Sequence, residues 1–155
     1  MGGGIQTYMT IIGMVSITDD GNGNINGVYL PNCNLPVREC RECSVMAKAA
    51  RQIDEFLTGK RTTFDIPIKT EGTDFQKSVW NELRNIPYGE TASYSDIAKR
   101  IGRHNAYRAV GNACNANPLP LIIPCHRVVA SNGIGGFGGG LTLKRKLMSI
   151  EGIEI

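Results

Sequence analysis

The stretch Leu119-Pro120-Leu121-Ile122-Ile123-Pro124-Cys125-His126-Arg127 decides how this chain is read. Its apolar half reads as a buried strand whose end delivers a cysteine and a histidine to a loop. Beyond it lies Gly133-Ile134-Gly135-Gly136-Phe137-Gly138-Gly139-Gly140, flexible enough to close over a small planar ligand. A thiol on rigid backbone, beside an imidazole and facing such a loop, is what a reactive cysteine requires. Cys125 is therefore read as a nucleophile. The competing reading is a small buried hydrophobe. Arg127 weighs against it by favouring the thiolate, and His126 by offering a base, directly or through a water. Adjacent residues of an extended strand point to opposite sides, so a direct Cys125–His126 contact does not follow from adjacency.

Upstream of this stretch, Thr73-Asp74-Phe75-Gln76 is a capping box that opens a helix with Phe75, Val79, Trp80 and Leu83 on one face. Ser93 caps a second, short helix carrying Ile97, Ala98 and Ile101, which Gly102 stops. Asn105 is expected to cap a third, from Ala106 to about Cys114. Two short helices joined by a glycine-containing turn read as a helix-turn-helix. Downstream, a last helix spans about residues 141–150 with Leu143, Leu147 and Ile150 inward. The glycine-rich loop lacks Gly-Lys-Ser/Thr and does not fit a nucleotide P-loop.

A change in composition at Lys69-Thr70-Glu71-Gly72 marks a boundary, giving domains of residues 1–70 and 71–155. In the first, residues 8–17 and 25–30 read as two strands around the turn cluster at 19–24. A helix from about Ser44 carries Met46, Ala49, Ala50, Ile53, Phe56 and Leu57 at three- and four-residue steps and stops at Gly59. Residues 64–68 read as an edge strand because Pro67 cannot donate to a ladder.

The chain of 155 residues is 41% hydrophobic, enough for one domain or two small ones with a packed core. No apolar run approaches the roughly 20 residues of a membrane helix, so no membrane partner is expected. The start, Met1 to Gln6, has neither the basic opening of a signal peptide nor a myristoylation motif. Five unevenly spread cysteines fit a reducing compartment, and a cytoplasmic location is expected. The net charge of +3 is asymmetric. Residues 1–74 carry seven Lys/Arg against nine Asp/Glu, and residues 75–155 carry ten against five. Basic charge thus collects in the half that holds Cys125, as a solvated face or as a phosphate-contacting one.

Other candidates have two readings each. His126 is a base or a satisfied structural histidine. Glu151 fixes that imidazole or is a surface carboxylate. Asn117, before Pro118 and Pro120, reads on its own as a turn former. Tyr94 and Arg108, on the two helices of the expected helix-turn-helix, are packing and solvated residues or face nucleic acid. Cys40-x-x-Cys43, with Cys33, has zinc-knuckle spacing, but no local fourth ligand is available and no metal is expected.

From Gly72 to Gly152 the chain resembles the methylated-DNA–protein-cysteine methyltransferases, the O6-alkylguanine-DNA alkyltransferases. The resemblance rests on Phe75-Gln76-x-x-Val79-Trp80, Ile86-Pro87-Tyr88-Gly89-Glu90-Thr91, Ser93-Tyr94-x-x-Ile97-Ala98, Arg108-Ala109-Val110-Gly111-Asn112-Ala113, Asn117-Pro118, Ile123-Pro124-Cys125-His126-Arg127-Val128 and Gly138-Gly139-Gly140. The N-terminal half is similar only loosely, through two strands, a helix and Phe56-Leu57-Thr58-Gly59-Lys60. The resemblance implies an α+β protein. A small ribonuclease-H-like domain precedes a mainly helical, winged-helix-like domain whose helix-turn-helix enters the DNA minor groove. Cys125 matches the alkyl acceptor, His126 the water-linked base, Glu151 the carboxylate holding the imidazole, and Asn117 the asparagine bracing the site. Tyr94 matches the tyrosine that helps turn the nucleotide and polarises the purine, and Arg108 the finger that replaces the flipped nucleotide. Ser95, Arg103, Ala106, Tyr107, Gly111 and Ser131 match DNA-contacting positions. Pro120, Val128, Val129, Gly136, Phe137 and Gly138 match the guanine pocket. No cofactor is implied, and the expected partner is double-stranded DNA carrying alkylated guanine, bound by a monomer.

The chemistry agrees with those residue types. Displacing an alkyl group from guanine O6 suits a soft thiolate, and the departing purine anion needs a donor such as Tyr94. A base inside a duplex is unreachable and must be extruded. A thioether is a poor leaving group, so each molecule is expected to act once. Three departures stand out: Phe137 where tyrosine is frequent, Cys114-Asn115 where a larger apolar and a basic residue occur, and Tyr107 where alanine is common. Two other functions compete. A lesion-binding alkyltransferase-like protein replaces the acceptor cysteine, which Cys125 argues against. A Cys-His-Glu hydrolase would have no use for a helix-turn-helix.

Overall fold

The computed structural model describes residues 3–154, and the leader reading at Met1 and Gly2 lies outside them. The chain divides into two units, the first ending at Thr70 and the second beginning at Glu71.

In the first unit three strands, β1 (Gly4–Thr10), β2 (Gly13–Asp19) and β3 (Ile25–Tyr29), form an antiparallel meander. The two-residue β4 (Glu39–Cys40) adds in parallel to β1, giving the order β3-β2-β1-β4. The β-prone run 8–17 is therefore not one strand. It folds back at Ile11 and Ile12, where Gly13 takes φ +113°, a region open to glycine and costly for other residues. Helix α1 (Ser44–Leu57) buries Met46, Ala49, Ile53, Phe56 and Leu57. Gln52 is buried with them because its amide accepts from Asp65 N–H at 2.9 Å and donates to the same residue's carbonyl at 3.4 Å. The segment 64–68 is not an edge strand. It makes a single parallel bridge, Ile25 to Ile68, where Ile25 N–H donates to Pro67 O and Lys69 N–H to Ile25 O.

The second unit is mainly helical: α2 (Asp74–Leu83), α3 (Tyr94–Arg100), α4 (Tyr107–Asn115) and α5 (Leu141–Ile150). The expected capping box of Thr73 and Gln76 forms, and Ser93, expected only as a cap, forms a second box with Asp96. Helix α4 departs from expectation: Ala106, not Asn105, is its N-cap, and no side chain caps it. Val79, Trp80 and Leu83 of α2 are buried while Phe75 is half-buried, and the Trp80 indole N–H donates to Ala113 O of α4 at 2.8 Å. Two-residue strands β5 (Ala92–Ser93) and β6 (Val128–Val129) pair in parallel, tying the start of α3 to the segment after Cys125. In α5 the inward stripe is Lys144, Leu147 and Met148, whereas Leu143 and Ile150 are only half-buried. Among the described residues the whole is a mixed α+β protein with five α-helices and a four-stranded sheet. No helix among them is long and apolar enough to cross a membrane.

Candidate active site

The apolar run before Cys125 is buried as expected, yet it is not a strand. Residues 119–123 form a tight turn in which Ile123 N–H donates to Leu119 O at 2.8 Å and Leu121 takes φ +76°. A left-handed leucine is uncommon and persists only where its surroundings hold it; here its side chain is locked in the core. Asn117 closes the turn in two ways. Its Oδ1 accepts from Leu119 N–H at 2.9 Å, and its Nδ2 donates to Ile123 O at 2.8 Å. Asn117 is thus a turn former here, and its side chain also pulls the Cys125 thiol pKa down.

Cys125, His126 and Arg127 then form one 3-10 turn. It brings His126 and Arg127 to one partner, the Glu151 carboxylate. Cys125 is buried, with 8% of its surface exposed. Burial pushes its thiol above the ordinary cysteine value, against the Asn117 hydrogen bond and the Lys144 charge, which pull it down. The expectation that Arg127 favours the thiolate is not met. Its guanidinium is committed elsewhere, donating through Nε to Glu151 at 2.8 and 3.1 Å and through Nη1 to Ile86 O at 2.8 Å.

His126 is wholly buried and its Nε2 lies 2.5 Å from Glu151 Oε2. Burial holds the imidazole below its ordinary value even though Glu151 pulls it upward, so the ring is neutral near pH 7. Assigning the hydrogen to Nε2, as the carboxylate partner requires, leaves Nδ1 as the proton-accepting atom. For Glu151 burial works in the opposite sense, raising the carboxyl. The hydrogen bonds from His126 and Arg127 overcome it, and the group stays ionised below the usual carboxylate range. Gly89 N–H adds a fourth contact at 2.9 Å. Glu151 is therefore not a surface carboxylate but the hub of a buried Arg–Glu–His network.

Tyr94, the first residue of α3, faces the glycine loop, its hydroxyl donating to Gly136 O at 3.4 Å. A Cβ at Gly135, where φ is +76°, would come within 3.0 Å of that hydroxyl. Cys125 and Cys114 both act electrostatically on Tyr94, and burial raises its phenol above the usual value, so it is a hydrogen-bond donor at neutral pH. Val128 is buried while Pro120, Val129 and Phe137 are half-buried, and Gly136 and Gly138 are exposed. On the outer surface Arg103, Tyr107, Arg108 and Ser131 are exposed, with Ser95, Ala106 and Gly111 partly so. The Arg108 guanidinium lies 6.0 Å from the Tyr107 ring centroid. Cys33 and Cys40 are exposed and Cys43 half-buried. Among the described residues no three His, Cys, Asp or Glu side chains gather to hold a metal ion.

One residue of the site escaped the sequence reading. Lys144 on α5 is buried and donates from Nζ to the carbonyls of Val128, Ile134 and Gly136. Its signal was present in the spacing: Leu147, Met148 and Glu151 lie three, four and seven positions after Lys144, on one helix face.

Comparison with known proteins shows the family. Residues 74–153 match the family described as 6-O-methylguanine DNA methyltransferase, DNA binding domain. A methylated-DNA–protein-cysteine methyltransferase of Methanosarcina acetivorans is 50% identical over 106 residues, 68% of each chain. The constitutive enzyme of that name from Bacillus subtilis is 44% identical over 118 residues, 75% of this chain and 72% of its own. The solved structure of Mycobacterium tuberculosis OGT in complex with DNA superposes with a TM-score of 0.88 at 35% identity, covering 95% of this chain and 91% of that one. Half the chain or more is accounted for by sequence and nearly all of it by shape: this protein belongs to the methylated-DNA–protein-cysteine methyltransferase family.

Proposed function

We propose that the protein repairs DNA by moving the alkyl group of O6-alkylguanine, and of O4-alkylthymine, irreversibly onto its own Cys125. The observation that carries this reading is what meets at the Cys125 turn. His126 and Arg127 of that turn belong to a buried network with Glu151, and Tyr94, whose hydroxyl meets the glycine loop, feels the charge of Cys125. The thiol is held protonated by burial until a substrate arrives. Neutral His126 then accepts the thiol proton, directly or through a water, and Glu151 stabilises the imidazolium. The sulfur attacks the alkyl carbon in line as the carbon–oxygen bond breaks. The purine anion takes a hydrogen bond and then a proton from Tyr94, which regains one by way of the imidazolium. The products are a thioether at Cys125 and an unmodified base, and nothing in the reaction regenerates the thiol.

The α3–α4 pair acts as a helix-turn-helix in the minor groove, with Arg108 filling the stack after the damaged nucleotide swings into the pocket. Ser95, Arg103, Ala106, Tyr107, Gly111 and Ser131 contact the duplex, and Pro120, Val128, Val129, Phe137 and Gly138 enclose the base. The first unit is a ribonuclease-H-like domain, and the protein works as a cytoplasmic monomer. The test is stoichiometric reaction with free O6-benzylguanine followed by peptide mass mapping. The expected result is one benzyl group per molecule, on the peptide containing Cys125. Transfer to another peptide, or repeated turnover, would overturn the proposal.

A further inference from the structure

Lys144 is an unusual residue to find where it is. Its side chain is fully buried, and among the described residues no carboxylate forms an ion pair with it. An ammonium withdrawn from water is very costly unless hydrogen bonds replace its hydration. All three of its N–H donors are used, and all on main-chain carbonyls: Val128 at 2.5 Å, Ile134 at 2.7 Å and Gly136 at 3.0 Å.

The three acceptors are not a random set. Val128 lies just past the acceptor turn, while Ile134 and Gly136 lie on the returning limb of the glycine loop. Residues 134–137 have no regular structure, and glycines are the residues with most backbone freedom to lose on ordering. One charged head therefore cross-links both limbs of a segment that cannot hold its own shape. The Gly136 carbonyl is shared with the Tyr94 hydroxyl, so fixing that carbonyl also fixes the donor.

We propose that Lys144 is the positioning residue of the base-reading loop, its ammonium tying the carbonyls of Val128, Ile134 and Gly136 so that loop and Tyr94 stand ready to receive the purine. The inference rests on the reading of Cys125 as acceptor. It also predicts a limit on the alkaline side. Burial lowers the Lys144 pKa to about 8, while Cys125 and Cys114 act to raise it. The other titratable groups acting with it are the Tyr94 phenol, through the shared carbonyl, and His126, which the ammonium pushes toward neutrality. Loss of its proton removes one donor and the charge assistance of the other two. The loop should then loosen while the acceptor turn, held by Asn117, does not.

The experiment measures the reaction rate against free O6-benzylguanine concentration for the wild type and Lys144→Met, separating apparent binding from the limiting rate. Amide hydrogen exchange is followed in both. The variant should bind at least tenfold more weakly, with faster exchange at residues 130–136 and unchanged exchange in α2. Wild-type binding should weaken in the same way between pH 7 and 9, and the variant should show no such dependence. Equal binding by the two proteins, or an unaltered loop, would overturn the inference. Should the variant not fold, wild-type binding that is flat from pH 7 to 9 overturns it alone. Wild type that fails to carry benzyl on Cys125 sinks the acceptor reading instead, a separate result.

Discussion

At the residue scale, the site holds two thiols with different fates. Cys114, on α4, is pushed to about 12, chiefly by burial and then by Cys125. It should stay protonated and unreactive, so Cys114→Ala should leave benzyl transfer within about twofold of the wild type; label on the Cys114 peptide would contradict this. For His126, replacement by alanine should slow transfer by roughly 10² to 10⁴, the usual worth of a positioned base. A smaller loss in single-turnover kinetics would return His126 to a structural role. The same network makes a stability prediction. Glu151, with a lowered carboxyl, stabilises the fold above the ordinary carboxylate pKa and loses that contribution as pH falls through its folded value. His126, also lowered, is stabilising above its ordinary value near 6.5 and likewise loses its contribution on acidification. The urea midpoint should therefore fall steadily from pH 7 toward pH 4, and Glu151→Gln should flatten the lower part of that curve. A midpoint independent of pH would count against the network.

At the element scale, the capping box of α2 can be tested simply. Thr73→Ala removes an acceptor for Gln76 N–H at 3.1 Å and should cost about 1 kcal/mol in equilibrium unfolding, with transfer unaffected. Gly135→Ala should do the reverse. With φ at +76° and the Tyr94 hydroxyl 3.0 Å from the added carbon, it should cut benzyl transfer well below wild type while the helical signal stays unchanged. These two sites also mark what sequence can convey. Caps and helix stops are local chemistry, so α1, α2, α3 and α5 were legible to within a residue or two. The turn at 119–123 was not, because an apolar run looks alike whether it is a strand or a buried turn. Only Asn117 bonding Leu119 and Ile123 decides the matter, a contact that no periodicity encodes. Residues 8–17 failed similarly, since the hairpin hangs on one backbone angle at Gly13. The roles proposed for Cys125, His126 and Glu151 rest on motif resemblance. The commitment of Arg127 to Glu151 and the burial of Lys144 were not legible, because helix and turn geometry, not residue type, sends those side chains inward.

At the scale of the whole molecule, the charge asymmetry bears on DNA. The exposed basic residues of the second unit, Arg103 among them, should contact phosphates with little regard to sequence. Binding should then weaken with salt at a log–log slope of about −0.9 per phosphate neutralised, and affinity flat across salt would refute that footprint. Arg108→Ala should impair repair of duplex DNA at least tenfold more than reaction with the free base; equal losses would remove the finger role. A last consequence concerns chain length within α5. Lys144 and Glu151 stand two turns apart, one gripping the loop and the other the imidazole. Adding or deleting a single residue between them would rotate one of the pair by about 100°. That short interval should thus be closed to indels, however freely its outward-facing letters are exchanged.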